Sequence, residues 1–216
     1  MEIHGHEQGS LAWHKSRLGI PSASAMKQLF TASHGLPKGV TKIILTYAAQ
    51  LAADRHSGLP LNSTEGFQGS WATDRGNELE PVARNQYSFT QNVNVAQTGF
   101  ITNKGSGCSP DGLVGDDGGL EIKCLLATAH TKAVADCIAG VCPADYYVQI
   151  QTSMWVTDRA WWDLYLYHPD LPSMDFRVEA DLEFFKLLDQ QVALVIGERD
   201  RLIAALVTAA TPKEVK

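Results

Sequence analysis

Long apolar runs are missing from this chain. None reaches the roughly 18–20 residues that span a bilayer, and the opening stretch MEIHGHEQGSLAWHK has no apolar core of the signal-peptide kind. A membrane protein is therefore not expected, and a cytoplasmic location is. Cysteine is scarce too. Cys108, Cys124, Cys137 and Cys142 form no CxxC pair and have no histidine at finger spacing, which argues against a structural zinc or iron–sulfur site. Reduced thiols acting as small apolar groups are expected instead. The histidines His4, His6, His14, His34, His56, His130 and His168 fall in no HxxH or HExxH pattern. Positive charge is also in deficit: 18 Lys and Arg face 24 Asp and Glu, a net charge of −6. Nucleic-acid binders usually show the opposite balance, although a basic lining can act within an acidic envelope. Charged residues make up only 19% against 44% hydrophobic, so wholesale disorder is excluded and a sizeable core is within reach.

What is present is a regular succession of patterns. Residues 10–30 predict two short helices broken at Gly19-Ile20-Pro21, with Ser22 capping the second. Residues 31–39 read as a loop. Val40, Ile43, Ile44, Tyr47, Ala48 and Leu51 recur at helical spacing and predict a helix over 40–56. Residues 58–70, rich in Gly, Pro and Ser, read as a second loop. A helix returns from 71 to about 88, with Leu79, Val82, Ala83 and Tyr87 on one face. From NVNVAQTGFITN to Cys124 the alternation predicts strands. ATAHTKAVADCIAG predicts a helix stopped by Gly140. Residues 143–158 fit two templates: Val148, Ile150, Met154 and Val156 alternate as in a strand, while the length and Pro143 suit a helix. WWDLYLYHP predicts a half-buried strand, DFRVEA another, and the apolar residues after Asp181 a long closing helix. The order predicts one α/β domain over 1–216: a mainly helical part at about 1–90, then a mixed sheet with helices packed on it and the closing helix at about 91–216.

The stretch SPDGLVGDDGGLEIKC, Ser109 to Cys124, carries the chemistry. A turn at Gly115–Gly119 folds Glu121 back beside Asp111, and Glu121 and Lys123 share one face of a strand. Two carboxylates facing one point suit a hard cation such as Mg²⁺, with the Ile122 carbonyl as a third oxygen. A lysine beside the ion can hold or deprotonate a water. The set can generate a nucleophile and neutralise charge developing on a phosphate. The plainer reading is a surface hairpin with a solvated salt bridge. Leu113, Val114, Leu120, Ile122 and Leu125 count against it, because charges held among apolar residues are costly without a partner.

Ser109-Pro110-Asp111 followed by Glu121-Ile122-Lys123 resembles the core of the PD-(D/E)xK nucleases. Three more blocks narrow the resemblance: Gln8, Trp13 and RLGIPSAS (Arg17 to Ser24); RGNELE (Arg75 to Glu80); and YVQIQTSMWVT (Tyr147 to Thr157). Together, and in order from about residue 8 to 168, they are similar to the YqaJ viral recombinase family typified by phage lambda exonuclease. The resemblance implies a restriction-endonuclease-like core in which 143–158 is helical. It implies an alkaline exonuclease that digests one strand of linear duplex DNA from its 5′ end, leaving a 3′ overhang for strand annealing. It implies two Mg²⁺ ions, with Mn²⁺ able to substitute, held by Asp111, Glu121 and the Ile122 carbonyl, with Glu80 acting through water. Lys123 and Gln149 would orient the attacking water. Arg17 would grip the 5′-terminal phosphate, which its guanidinium fork suits on chemical grounds, with Ser24 and Ser109 as hydroxyl donors. A homotrimeric ring around DNA and a single-strand-annealing partner are implied as well.

Without the resemblance these residues have ordinary roles. Arg17 is a surface arginine, Ser24 and Ser109 are cap or turn serines, Glu78 and Glu80 are solvated helix charges, and Gln149 is an exposed amide. Trp13, Trp161, Trp162, Tyr165 and Tyr167 read as packing residues. So does Trp71, although it lies where the family separates the strands. A DNA-facing surface would have to be assembled from distant cations such as Lys38, Lys42, Arg55, Arg75, Lys132 and Arg159. The rival readings are an endonuclease of the same superfamily and a non-catalytic DNA-binding scaffold. The complete Asp111, Glu121 and Lys123 set argues against the scaffold.

Overall fold

The computed structural model describes residues 1–61 and 71–210. Most of the loop expected over 58–70 lies outside the described residues, and so does the side chain of Trp71. The central sheet is organised around β7 (Trp161–His168). This strand pairs in parallel with β6 (Gly118–Lys123) and antiparallel with β8 (Leu171–Glu179). β5 (Gly112–Val114) and β2 (Val95–Ala96) complete a five-stranded mixed sheet in the order β2-β5-β6-β7-β8. A parallel pair requires a crossover. Residues between β6 and β7 supply it as two helices, α5 (Ala127–Ile138) and α6 (Ala144–Thr157). The ambiguous segment is thus a helix, entered through Pro143 and ended by Asp158 in the left-handed conformation (φ 56°).

The WWDLYLYH strand is buried on both faces, not half-buried as its alternation suggested. Trp162, Leu164 and Leu166 pack with Ala133 and Cys137 of α5 and Ile150 and Met154 of α6. Tyr165 and Tyr167 pack with Ala83 and Tyr87 of α4 (Trp71–Gln91). A strand with helices on both sides has no solvent face to keep polar. Asp163, on the tyrosine side, is paired: the Tyr87 hydroxyl donates to it at 2.6 Å, and Arg177 donates from β8. β6 opens on two glycines because indole rings occupy the space a Cβ would need. Ideal Cβ positions at Gly118 and Gly119 fall 2.0 and 2.2 Å from atoms of Trp161 and Trp162. β8 begins four residues before DFRVEA, since pairing with a buried neighbour carries the ladder past the alternating part.

A second sheet has the order β1-β3-β4, from β1 (Glu2–His4), β3 (Phe100–Asn103) and β4 (Ser106–Cys108). β1 was not expected in a helical N-terminal part. Three residues show no periodicity, and the strand exists through its pairing with β3. α1 (Leu11–Ser16) starts at Ser10, whose hydroxyl accepts from the Trp13 N–H at 3.2 Å. α2 (Ala23–Met26) follows the break at Gly19-Ile20-Pro21. Ser22 stands at its N-cap without a side-chain capping bond, and its N–H donates to the Tyr47 hydroxyl instead (3.0 Å). α3 (Lys42–Ser57), capped by Thr41, buries Ile44, Tyr47, Ala48 and Leu51 but leaves Ile43 exposed, and Val40, expected within this helix, lies before its cap and is exposed too. Its apolar face packs with Phe184, Leu188, Val192 and Val195 of α7 (Leu182–Ala210). Val82 of α4, expected on the inner face, is likewise exposed. Among the described residues no helix is long and apolar enough to cross a membrane.

Candidate active site

The β5–β6 hairpin sets the two acids side by side. Gly112 pairs with Leu120, so Asp111 and Glu121 occupy the next step of the ladder. The connecting turn is shorter than expected, because Gly118 and Gly119 already belong to the strand. The Ile122 N–H donates to Asp111 Oδ2 at 2.6 Å. Lys123 Nζ donates to Glu121 Oε1 at 2.5 Å, and Gln149 Nε2, from α6, donates to the same oxygen at 2.7 Å. Glu121 is 2% exposed, and its Oε2 has no hydrogen-bond partner among the described residues. Burial raises the Asp111 carboxyl well above the usual carboxylate range. Glu121 and Glu80 push it further, against Lys123 and the Ile122 N–H. Burial alone would lower the Lys123 ammonium, but Glu121 and Asp111 outweigh it and hold the group above its ordinary range.

Glu80 reaches the site from α4 and is ion-paired with Arg84 one turn later. Arg84 Nε also donates to the main-chain carbonyl of Asp111 at 2.8 Å. Sequence reasoning missed Arg84. Its only signal was an i,i+4 acid–base spacing, which is common on helices. Among the described residues no three His, Cys, Asp or Glu side chains form a ready cage for a metal. The two carboxylates still fit a divalent cation. Glu121 has a buried oxygen without a partner among the described residues, and Glu121 and Glu80 both repel Asp111. Oxygen donors of this kind suit a hard divalent cation.

A second cluster adjoins the first. Arg17 Nη1 donates to Ser109 Oγ at 3.3 Å, and Trp13 Nε1 donates to the same oxygen at 3.1 Å. The guanidinium lies 4.1 Å from the Trp13 ring centroid and 5.1 Å from that of Phe100. Burial lowers its pKa, opposed by Tyr47 and Cys108. Trp13, expected in the core, is half-buried and belongs to this cluster. Ser24 is exposed on α2, and its hydroxyl meets that of Ser22 (3.4 Å). Arg17, Ser22 and Tyr47 line a pocket of about 210 Å³, while Trp13, Glu80, Arg84 and Asp111 line a cleft of about 1160 Å³. His14 lines both, so the guanidinium side and the carboxylate side are contiguous. Two of the cations expected to face DNA are anchored by main-chain carbonyls. Arg75 donates to the Cys124 and Leu125 carbonyls, and Arg159 to those of Val114, Gly115 and Gly118.

A mixed sheet flanked by helices, with an acidic hairpin ending in Glu-Ile-Lys, defines a domain of the PD-(D/E)xK type. The model of the YqaJ-like viral recombinase domain matches residues 12–160, and the chain belongs to that family. Among solved structures, the alkaline exonuclease LHK-Exo of Laribacter hongkongensis is 30% identical, with a TM-score of 0.78 over 93% of this chain and 98% of that one. The same enzyme in complex with dAMP matches at 29% identity, with the same TM-score and coverage. A phage-related exonuclease from Haemophilus somnus 129PT, 17% identical with a TM-score of 0.65 over 87% and 96% of the two chains, shares the fold. No curated protein sequence matches.

Proposed function

We propose that this chain is a Mg²⁺-dependent exonuclease of linear duplex DNA. It works 5′ to 3′ and leaves a 3′ single strand for recombination by annealing. The observation that carries this reading is Arg17. Its guanidinium is half-buried between two aromatic rings, bonded to Ser109, and without a carboxylate ion pair among the described residues. A cation withdrawn from water needs an anion. Ser109 stands two residues before Asp111, so an anion held there lies next to the acids. A terminal phosphate carries more charge than an internal one, and a guanidinium binds it through two parallel bonds. Membership of the recombinase family and the exonuclease activity named for the Laribacter hongkongensis relative support the same reading.

Asp111, Glu121 and the Ile122 carbonyl would hold the cation, and Glu80 would reach it through water. Two Mg²⁺ ions are proposed, with Mn²⁺ able to replace them. When bound, such ions lower the pKa of a water and neutralise charge on the phosphodiester. Lys123 and Gln149 both grip Glu121 Oε1. They fix the carboxylate and leave further N–H donors for a water or a phosphate oxygen. Arg17, with Ser109 and Ser24, would hold the 5′ phosphate and so place the next phosphodiester at Asp111. Each cut makes a new 5′ phosphate, which enters the pocket and advances the strand by one nucleotide.

A homotrimeric ring would keep an acidic protein on DNA, and a single-strand-annealing protein in the cytoplasm would take up the 3′ strand. The test is digestion of linear duplex labelled at the 5′ or the 3′ end, with Mg²⁺ and with EDTA, beside a covalently closed plasmid. Early release of the 5′ label and an intact plasmid are expected. Cutting of the closed circle would make the enzyme an endonuclease.

A further inference from the structure

We infer that Arg84 is a positioning residue of this site: it braces Asp111 and Glu80 against each other and so sets how tightly the carboxylates hold a divalent cation. The inference rests on the reading of those acids given above. The Arg84 side chain is 11% exposed and borders the cleft beside Glu80, Pro81 and Asp111. One planar group makes two bonds of different kinds. Nε holds the main-chain carbonyl of Asp111 at 2.8 Å, and Nη2 holds the carboxylate of Glu80. A guanidinium is a rigid fork, so these bonds fix the distance between α4 and the segment that presents Asp111. Glu80 is 29% exposed at its side chain and would otherwise be free to turn outward.

Charge points the same way. Glu121 and Glu80 both crowd Asp111, and two cations flank the group: Lys123 bonded to Glu121 and Arg84 bonded to Glu80. Each holds one acid in place while leaving other oxygens for a ligand. Pro81 adds a reason for the brace. A proline inside a helix cannot donate to the carbonyl four residues back, so α4 lacks a ladder bond beside Glu80. The bond from Arg84 to Asp111 fastens the helix there from outside.

The experiment compares Arg84→Lys and Arg84→Gln with the wild type in the full chain. The first readout is isothermal titration with Mn²⁺ in the absence of DNA. Removing a partner that orients a metal-binding carboxylate typically weakens the metal by roughly 10–100-fold. That loss is expected for Arg84→Gln. Arg84→Lys should recover little, because an ammonium keeps the charge but not the two-pronged geometry. The second readout is steady-state digestion of 5′-phosphorylated duplex at fixed Mn²⁺, where kcat should fall with little change in KM. Wild-type Mn²⁺ affinity in Arg84→Lys, or lower thermal stability with unchanged affinity, would overturn the inference. Should Arg84→Gln fail to fold, Arg84→Lys decides alone. If Asp111→Ala binds Mn²⁺ as the wild type does, the site reading itself fails and this inference with it.

Discussion

Asp111 is a costly residue to keep. Burial first, then Glu121 and Glu80, raise its carboxyl well above the usual carboxylate range. Crowding of that kind marks functional sites more often than structural ones. Asp111→Ala should lower Mg²⁺-dependent cleavage by more than the roughly 10²–10³-fold that follows loss of one preorganised donor. Binding to duplex ends in Ca²⁺ should survive, as a gel-shift assay will show. Substantial residual cleavage would place the chemistry elsewhere. At Arg17 the expected change is in choice of substrate. Arg17→Ala should slow digestion of 5′-phosphorylated duplex strongly and 5′-hydroxyl duplex much less, while Arg17→Lys restores part of the difference. Initial rates on both substrates check this, and a preference that persists in Arg17→Ala sinks the pocket assignment. Asp111, Glu121 and Lys123 were legible because a hairpin has only one way to bring them together. Trp13 and Arg84 were not, since an indole looks like core and an i,i+4 acid–base pair looks like a solvated helix face.

Among the elements, the existence of the helices was readable, while their exact ends and their burial were not. The helix expected from residue 40 starts after Thr41, and Ser22, expected as a cap, makes no capping bond. The two-sided burial of β7 and the existence of β1 depend on which neighbour arrives, and a single segment does not encode that. Asp181 offers a test at this level. Its Oδ1 accepts the N–H groups of Glu183 and Phe184 at 3.0 Å each, and its Oδ2 accepts the Tyr147 hydroxyl at 2.7 Å. The Phe184 N–H, then Tyr147, hold its carboxyl below the usual range against slight burial. A depressed carboxylate stabilises the fold above its unfolded pKa and loses that effect as pH falls through the folded value. Asp181→Ala should therefore cost about 0.5–2 kcal/mol at neutral pH in urea unfolding. The gap to the wild type should narrow on acidification below the carboxylate range. An unchanged gap at low pH would assign the loss to packing.

Across the whole molecule the net charge of −6 sits poorly with a grip on DNA through phosphate contacts. A closed ring removes the need for strong contacts, because release then requires running off an end. Sedimentation or light scattering should give a mass near three times 23.5 kDa. A stable monomer that degrades long DNA in single binding events would rule the ring out.

The Glu121 oxygen without a partner among the described residues and the crowding around Asp111 imply that the sturdiness of the protein should follow the ions around it. Acids that repel one another in the native state relax when the chain unfolds, so they oppose folding until a cation compensates them. An ion that binds only the folded chain adds about 2.7 kcal/mol at a hundred times its dissociation constant. The melting temperature should climb with Mg²⁺ concentration in the wild type and stay level in Asp111→Ala, as scanning calorimetry can decide. On this reading the chain should be weakest where divalent cations are scarce, so chelating buffers should shorten its life in solution long before any DNA is added.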